Sequence, residues 1–206
     1  MRYKHGETKK LSLAQQQRIT KPLIEDVIPE YLDGDMKQSA LDFAMWLREN
    51  KIKPAWTLTN QWKAVCKGRN LCRIGLSPWN PPGKNKKWVV TVYIEHIKSY
   101  EETIITEGLQ CFVWDNVYYC VNKPPESPPP EESRQHAFVL PCNIWNCAPG
   151  KNITLCGKEL TNICRNGNRQ HLWFHDPDEA SLNCIKRLLE LEKQARIDQN
   201  NANKQK

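Results

Sequence analysis

The run WTLTNQWKAVCKGRNLCRIGL (56–76) decides the fold class. Trp56, Leu58, Trp62, Ala64 and Cys66 share one face by period two, and Cys72, Ile74 and Leu76 do the same after the link KGRN. That period belongs to a strand with one buried side, and a short link containing Gly68 has hairpin length. Beyond a Pro/Gly loop, SPWNPPGKNKK (77–87), the run WVVTVYI (88–94) turns Trp88, Val90, Val92 and Ile94 inward as a third strand. Consecutive strands with short links make an antiparallel meander.

Helical patterns flank it. Residues 11–32 have helical periodicity that Pro22 and Pro29 divide, because proline lacks the N–H a helix needs. Asp35, with Gln38 three residues on, predicts the start of a helix whose stripe is Ala40, Leu41, Ala44 and Leu47. Ser99 and Glu102 have capping-box spacing ahead of Ile104, Ile105 and Leu109, with an interruption at Gly108 and a second helical piece toward Tyr119. KPPESPPPEES (123–133) reads as an exposed polyproline-like insert. NITLC and TNIC are strand-like around Gly157, and HLWFH (171–175) is a third such run. Asp176, Pro177 and Glu179 stand as N-cap, first and third residues of a last helix carrying Leu182, Ile185 and Leu189.

The expectation is an α+β fold: an antiparallel β-meander flanked by helices, then a C-terminal Cys-rich β-hairpin segment covered by the last helix. Its divisions are an N-terminal helical arm (1–34), a body with a basic, Trp-bearing meander (35–119), a Cys-rich segment (120–195) and a disordered tail (196–206).

Hydrophobic content of 39% is modest, but eight Trp supply large buried area. The longest near-apolar run, WVVTVYI, is far too short for a membrane helix. The basic start MRYKHGETKKLSLAQQQ has no apolar core, so it is not a signal peptide and a cytoplasmic, reducing compartment is expected. There, nine cysteines suit thiolate ligands or small core residues better than disulfides. The net charge of +7 is uneven: residues 51–87 carry nine Lys/Arg and no acid, while 88–132 carry eight acids against Lys98 and Lys123.

PCNIWNCAPGKNITLCGKELTNIC (141–164) concentrates sulfur. Zinc takes four ligands at tetrahedral corners, usually delivered by tight turns. Cys147 enters the turn CAPG, Cys142 lies five residues earlier, Cys164 closes the hairpin, and Cys120 supplies a fourth corner. Cys156 ranks fifth because it reads as mid-strand rather than at a turn. The site would be structural, with no open coordination position. The competing reading is a set of small buried residues in a reduced protein.

The ordered set WLRENKIKPAWTLTNQWKAVCKGRNLCRIGL, VWDNVYYC, CAPGKNITLCGKELTNIC and FHDPDEASLNCIKRLLELEK resembles an uncharacterised bacterial family over residues 35–195. That resemblance implies a Trp-rich α+β body followed by a cysteine segment. It also implies that positions like Cys120, Cys142, Cys147 and Cys164 are the cysteines, with an aliphatic residue usual at the place of Cys156. The chain departs in its long Pro-rich insert. The family has no assigned activity, so the resemblance implies structure alone.

In the meander, Lys63, Lys67, Arg69 and Arg73 alternate out of phase with the core, and Trp79 lies in the Pro/Gly loop. Basic groups near an exposed aromatic can hold phosphates and stack bases, although an outward basic face is also compatible with water alone. Trp56 and Trp62 belong with the core. His171 and His175 share a strand face too widely for one small ion, and Glu95 with His96 would point to opposite faces of a strand. Cys66 and Cys72 fall on the core parity, which raises a thiol's pKa. No GxSxG, Walker A, GxGxxG or HExxH pattern occurs. The leading expectation is a non-enzymatic binding or regulatory module for a small or anionic ligand. Nucleic-acid binding through the same lysines comes second, and an enzyme using an unplaced Cys or His third.

Overall fold

A computed structural model describes residues 11–76, 87–117, 150–163 and 171–204. The meander is present, with one strand more than periodicity shows. Residues 56–66 divide between β1 (Lys53–Leu58) and β2 (Gln61–Cys66), reversed at Thr59–Asn60 with Asn60 at φ +56°. Asparagine tolerates that left-handed conformation better than most side chains. Trp56 pairs directly with Trp62 across the hairpin, so both stay on one face despite the turn.

β3 (Arg69–Leu76) follows through Lys67–Gly68, whose φ values of 47° and 79° match a type I′ turn. β4 (Trp88–Tyr93) lies beside β3. The C-terminal strand β7 (His171–His175) lies beside β4, giving one antiparallel sheet in the order β1-β2-β3-β4-β7. HLWFH therefore belongs to the main sheet. The cysteine segment contributes a separate hairpin, β5 (Lys151–Leu155) and β6 (Lys158–Ile163), turned at Cys156–Gly157.

Helices α1 (Leu13–Thr20), α2 (Ile24–Tyr31), α3 (Gly34–Glu49) and α6 (Glu179–Lys204) pack around the sheet. The face of Trp62, Ala64, Cys72, Ile74, Trp88, Val90, Val92, Leu172 and Phe174 is buried. Phe43 of α3 meets the Trp88 ring edge-on at 6.4 Å, and Trp62 Nε1 donates to Pro22 O at 2.9 Å. α6 crosses β3 and β4, and Lys193 Nζ ties it to Asn50 O at the end of α3 (2.8 Å). Between β4 and the cysteine hairpin lie a 3₁₀ turn (Ile97–Ser99), α4 (Glu101–Thr106) and α5 (Gln110–Asp115). Leu155, Leu160 and Ile163 of the hairpin join the same continuous core. Among the described residues no helix is long and apolar enough to cross a membrane.

Several element ends differ from the sequence expectation, and at Ser99 and Asp176 the proposed capping side chain is engaged elsewhere. α3 starts after Asp33 rather than Asp35, and the Asp33 carboxylate takes Lys87 Nζ at 2.9 Å. α6 is capped by Asp178, which accepts from Ser181 N at 2.8 Å. Asp176 instead accepts from the backbone N–H groups of Lys87 and Trp88, both at 2.8 Å. Ser99 Oγ donates to His96 O, so no capping box forms at α4, while the break at Gly108 (φ +73°) is present. Pro29 sits inside α2 without dividing it. Residues 196–204, expected to be a disordered tail, continue α6 as helix.

Ser12 and Gln15 cap α1 reciprocally, and Gln17 docks it. The Gln17 amide donates to Asn60 Oδ1 (2.7 Å), while its oxygen accepts from Asn60 N (2.8 Å) and Trp56 Nε1 (3.4 Å). Both Gln17 and Asn60 are buried. Gln17→Ala removes these partners from buried groups, and a loss of about 1–3 kcal/mol in urea unfolding is expected. An unchanged midpoint would mean that α1 is not docked through this contact.

Candidate anion-binding surface

The outward face of the sheet follows from the register. Ala55, Lys63, Arg73, Thr91 and Trp173 are successive cross-strand partners on β1, β2, β3, β4 and β7. Lys53 lies on the same face of β1, two residues from Ala55. His171 and His175 flank Trp173 on β7, so both face outward together, as their spacing on a strand requires. None of these outward residues is acidic. Lys53 and Arg73 are exposed and Lys63 is half-buried. The ion pairs of the described residues use Arg48, Lys87, Lys98, Arg187, Arg196 and His96, and none involves Lys53, Lys63 or Arg73.

β4 contributes little to the open surface, since Thr91 and Tyr93 are buried. On β7, His171, Trp173 and His175 are half-buried. The Trp173 and His175 rings lie nearly parallel, 17° apart at 6.3 Å, and Tyr93 meets His171 edge-on at 4.5 Å.

The basic residues singled out in the sequence divide into two pairs. Lys63 and Arg73 face each other across β2 and β3. Lys67 and Arg69 lie at the hairpin turn instead, where they join Lys193 and Arg196 of α6 around a small cleft with Cys66 and Asn200. Its volume of about 20 Å³ is room for roughly one water molecule, so these cations meet a ligand only at the surface. Trp79 lies outside the described residues, as do Cys120, Cys142, Cys147 and Cys164. Trp173 lies a hundred residues from Arg73 in sequence, and only the β4–β7 pairing places the two in one row.

Cys156 is the one zinc candidate among the described residues, and its placement corrects the mid-strand expectation. It occupies the left-handed first position of the β5–β6 turn (φ +49°), with Gly157 at φ +78°. Its backbone N–H donates to the Glu101 carboxylate, and burial pushes its thiol up to about 11. Cys72 and Cys184 are likewise raised by burial, Cys184 to about 12. Cys111 of α5 is exposed.

A second cluster escaped sequence reasoning. Glu192, wholly buried in α6, accepts from His96 N (3.1 Å), Tyr100 Oη (2.7 Å) and Arg196 Nε (2.7 Å), and its Oε1 lies 2.8 Å from His96 Nδ1. Arg196 also donates to Asn70 O at 2.8 Å and lies 3.6 Å from Glu95. Burial and the Glu192 charge push the Tyr100 hydroxyl above its usual range. Glu95, His96 and Glu192 offer ligand atoms within 4.8 Å of one another. Four donor contacts already surround the Glu192 carboxylate, however, and the Arg196 guanidinium supplies the compensating positive charge. The cluster is an ion-paired lock between α6, the β2–β3 hairpin and the segment after β4. A Glu in the charged run LLELEKQAR gives no sign of burial, which is why the sequence did not show it.

No known protein family, curated protein or solved structure matches the chain. The functional reading therefore rests on the site's own chemistry.

Glu192→Ala leaves the Arg196 guanidinium buried without its main partner. It is expected to cost about 3–5 kcal/mol in chemical unfolding, and a loss below 1 kcal/mol would show that the lock is dispensable. In native protein at neutral pH, alkylation followed by peptide mass mapping should label Cys111 well ahead of Cys72, Cys156 and Cys184. Equal labelling would contradict the buried thiols.

Proposed function

We propose that the protein is a non-catalytic binding module whose ligand is an anion held on the outward face of the meander. The observation that carries this reading is the cross-strand placement of Lys63 opposite Arg73 on a sheet face that carries no acidic residue among the described residues. Like charges directly opposite each other in an antiparallel pair are destabilising, and opposite charges stabilise by roughly 0.2–1 kcal/mol. An anion bridging the two side chains removes the repulsion and adds charge-assisted hydrogen bonds. Exposed Lys53 extends the positive row on the same face.

The raised thiols of Cys72, Cys156 and Cys184 favour binding over cysteine catalysis at these positions, because the thiolate is the nucleophile. The proposal includes a structural zinc held by Cys120, Cys142, Cys147 and Cys164, supported by the sequence concentration of sulfur around the β5–β6 hairpin. Cys156 is a weak fifth ligand, given its buried turn and high pKa. Metal analysis of protein purified without added zinc should find one equivalent per chain, released with loss of structure on chelation. A metal-free, fully folded protein would remove the zinc from the reading.

Inorganic polyphosphate tests the binding face. Wild type should bind it, with affinity falling steeply as salt rises. Arg73→Glu should abolish that binding while raising unfolding stability by a few tenths of a kcal/mol, because an opposite-charge pair with Lys63 replaces a repulsive one. Undiminished binding by Arg73→Glu would place the anion elsewhere.

A further inference from the structure

We propose that the cleft between the β2–β3 turn and α6 binds a terminal phosphoryl group, with one oxygen entering the cleft and the others meeting Lys67 and Arg69 at its rim. This site is separate from the sheet face of Lys63 and Arg73 and does not rest on that reading. Lys67 and Arg69 line it from the turn, and Lys193, Arg196 and Asn200 from α6. Lys67 and Arg69 are exposed, so the cleft is reached from solvent, whereas Arg196 is buried in its wall.

Four of the lining residues are cations and none is an acid. Arg196 is compensated, with Nε on the Glu192 carboxylate and Nη2 3.6 Å from that of Glu95. Lys67, Arg69 and Lys193 enter no ion pair among the described residues. Converging cations without a counter-charge repel one another, and an anion between them removes that cost. Donors are also left over: Arg196 Nη2 has no hydrogen-bond acceptor, and Lys193 Nζ spends one of its N–H groups on Asn50 O at 2.8 Å.

The dimensions choose the anion. A volume of about 20 Å³ takes one water-sized atom, so the ligand must present a single oxygen on a compact head that stays at the surface. A planar carboxylate carries one charge on two oxygens. A terminal phosphoryl group carries roughly −1.5 to −2 on three oxygens, so one can enter while two face the rim cations. Its fourth oxygen points outward, which makes free phosphate and a phosphate monoester equivalent ligands.

The test titrates the full chain with inorganic phosphate, glycerol 3-phosphate and dimethyl phosphate by calorimetry, at constant ionic strength held with chloride. The first two should bind saturably within about threefold of each other, and dimethyl phosphate about tenfold more weakly, since it brings less charge to three cations. Cys66 lines the same cleft and is half-buried, so its alkylation by iodoacetamide reports occupancy. Inorganic phosphate at about ten times its Kd should slow that alkylation about tenfold, because only the empty cleft reacts, and leave exposed Cys111 unaffected. Lys67→Gln with Arg69→Gln should weaken phosphate binding at least about tenfold, while Arg73→Gln should leave it unaltered. Absence of saturable binding, undiminished binding by the double variant, or Cys66 alkylation indifferent to saturating phosphate would each overturn the site. Phosphate binding lost in Arg73→Gln but kept in the double variant would overturn it too, and leave the sheet-face reading intact. Dimethyl phosphate binding as well as inorganic phosphate would overturn the terminal phosphoryl group as ligand. The Cys66 comparison needs no variant, so it decides even where the double substitution disturbs the turn.

Discussion

The antiparallel pairing of β4 with β7 is the constraint on which the rest of the molecule depends. Tyr93 pairs with His171, so the strand pair closes a loop of about 80 residues, an entropic cost of roughly 4 kcal/mol beyond a constant. Burial of Leu172 and Phe174, at roughly 1.5–3 kcal/mol per large apolar side chain, is of the size needed to offset it. Asp176 then locks the end of the pair: its carboxylate takes the N–H groups of Lys87 and Trp88, and its own N–H donates to Trp88 O at 2.9 Å. From that corner α6 can run only back across the buried face of β3 and β4. The same pairing places Trp173 on the opposite face, in line with Arg73.

The Glu192 lock explains why α6 persists where composition argues against it. Residues 192–204, EKQARIDQNNANK, are too polar to be held by apolar burial, and isolated helical segments of that length are marginal in water. Here the segment is anchored at its start by Arg196, which reaches Asn70 O, and by Gln199, whose amide oxygen lies 2.7 Å from His96 Nε2. These contacts hold the helix against β3 and against the segment that follows β4. A buried ion pair is a weak source of net stability. Its physical role is to make other registers of α6 costly, since any slip would strand Glu192 or Arg196 without a partner.

What was legible in the sequence followed from period two. Trp62, Ala64, Cys72, Ile74, Val90 and Val92 are buried as the alternation requires, and Lys63 and Arg73 point outward for the same reason. The turn at Thr59–Asn60 was not legible, because a two-residue reversal preserves parity and leaves the hydrophobic pattern unbroken. The last helix starts two residues later than expected because the backbone N–H groups of Lys87 and Trp88 claim the Asp176 carboxylate, and such long-range competition leaves no local trace. The alignment of Trp173 with Arg73 in one cross-strand row and the burial of Glu192 were illegible on the same ground. Both depend on contacts spanning about a hundred residues, whereas local spacing reports only neighbours within a turn or a strand.

The basic face is most informative through what it forgoes. At effective dielectric constants between that of water and about 20, two unit charges some 6 Å apart repel by roughly 0.7–3 kcal/mol, and long flexible side chains reduce this by spreading apart. Several neighbouring positions could carry a carboxylate without disturbing the core: Ala55 and Gln61 border Lys63 on the outward face. Elsewhere the molecule does use such pairs, joining Arg48 to Glu25 and Arg187 to Glu107, both at 2.5 Å. Stability alone would favour the same solution on the meander. Its omission among the described residues beside Lys63 and Arg73 is the feature on which the proposed anion-binding reading rests.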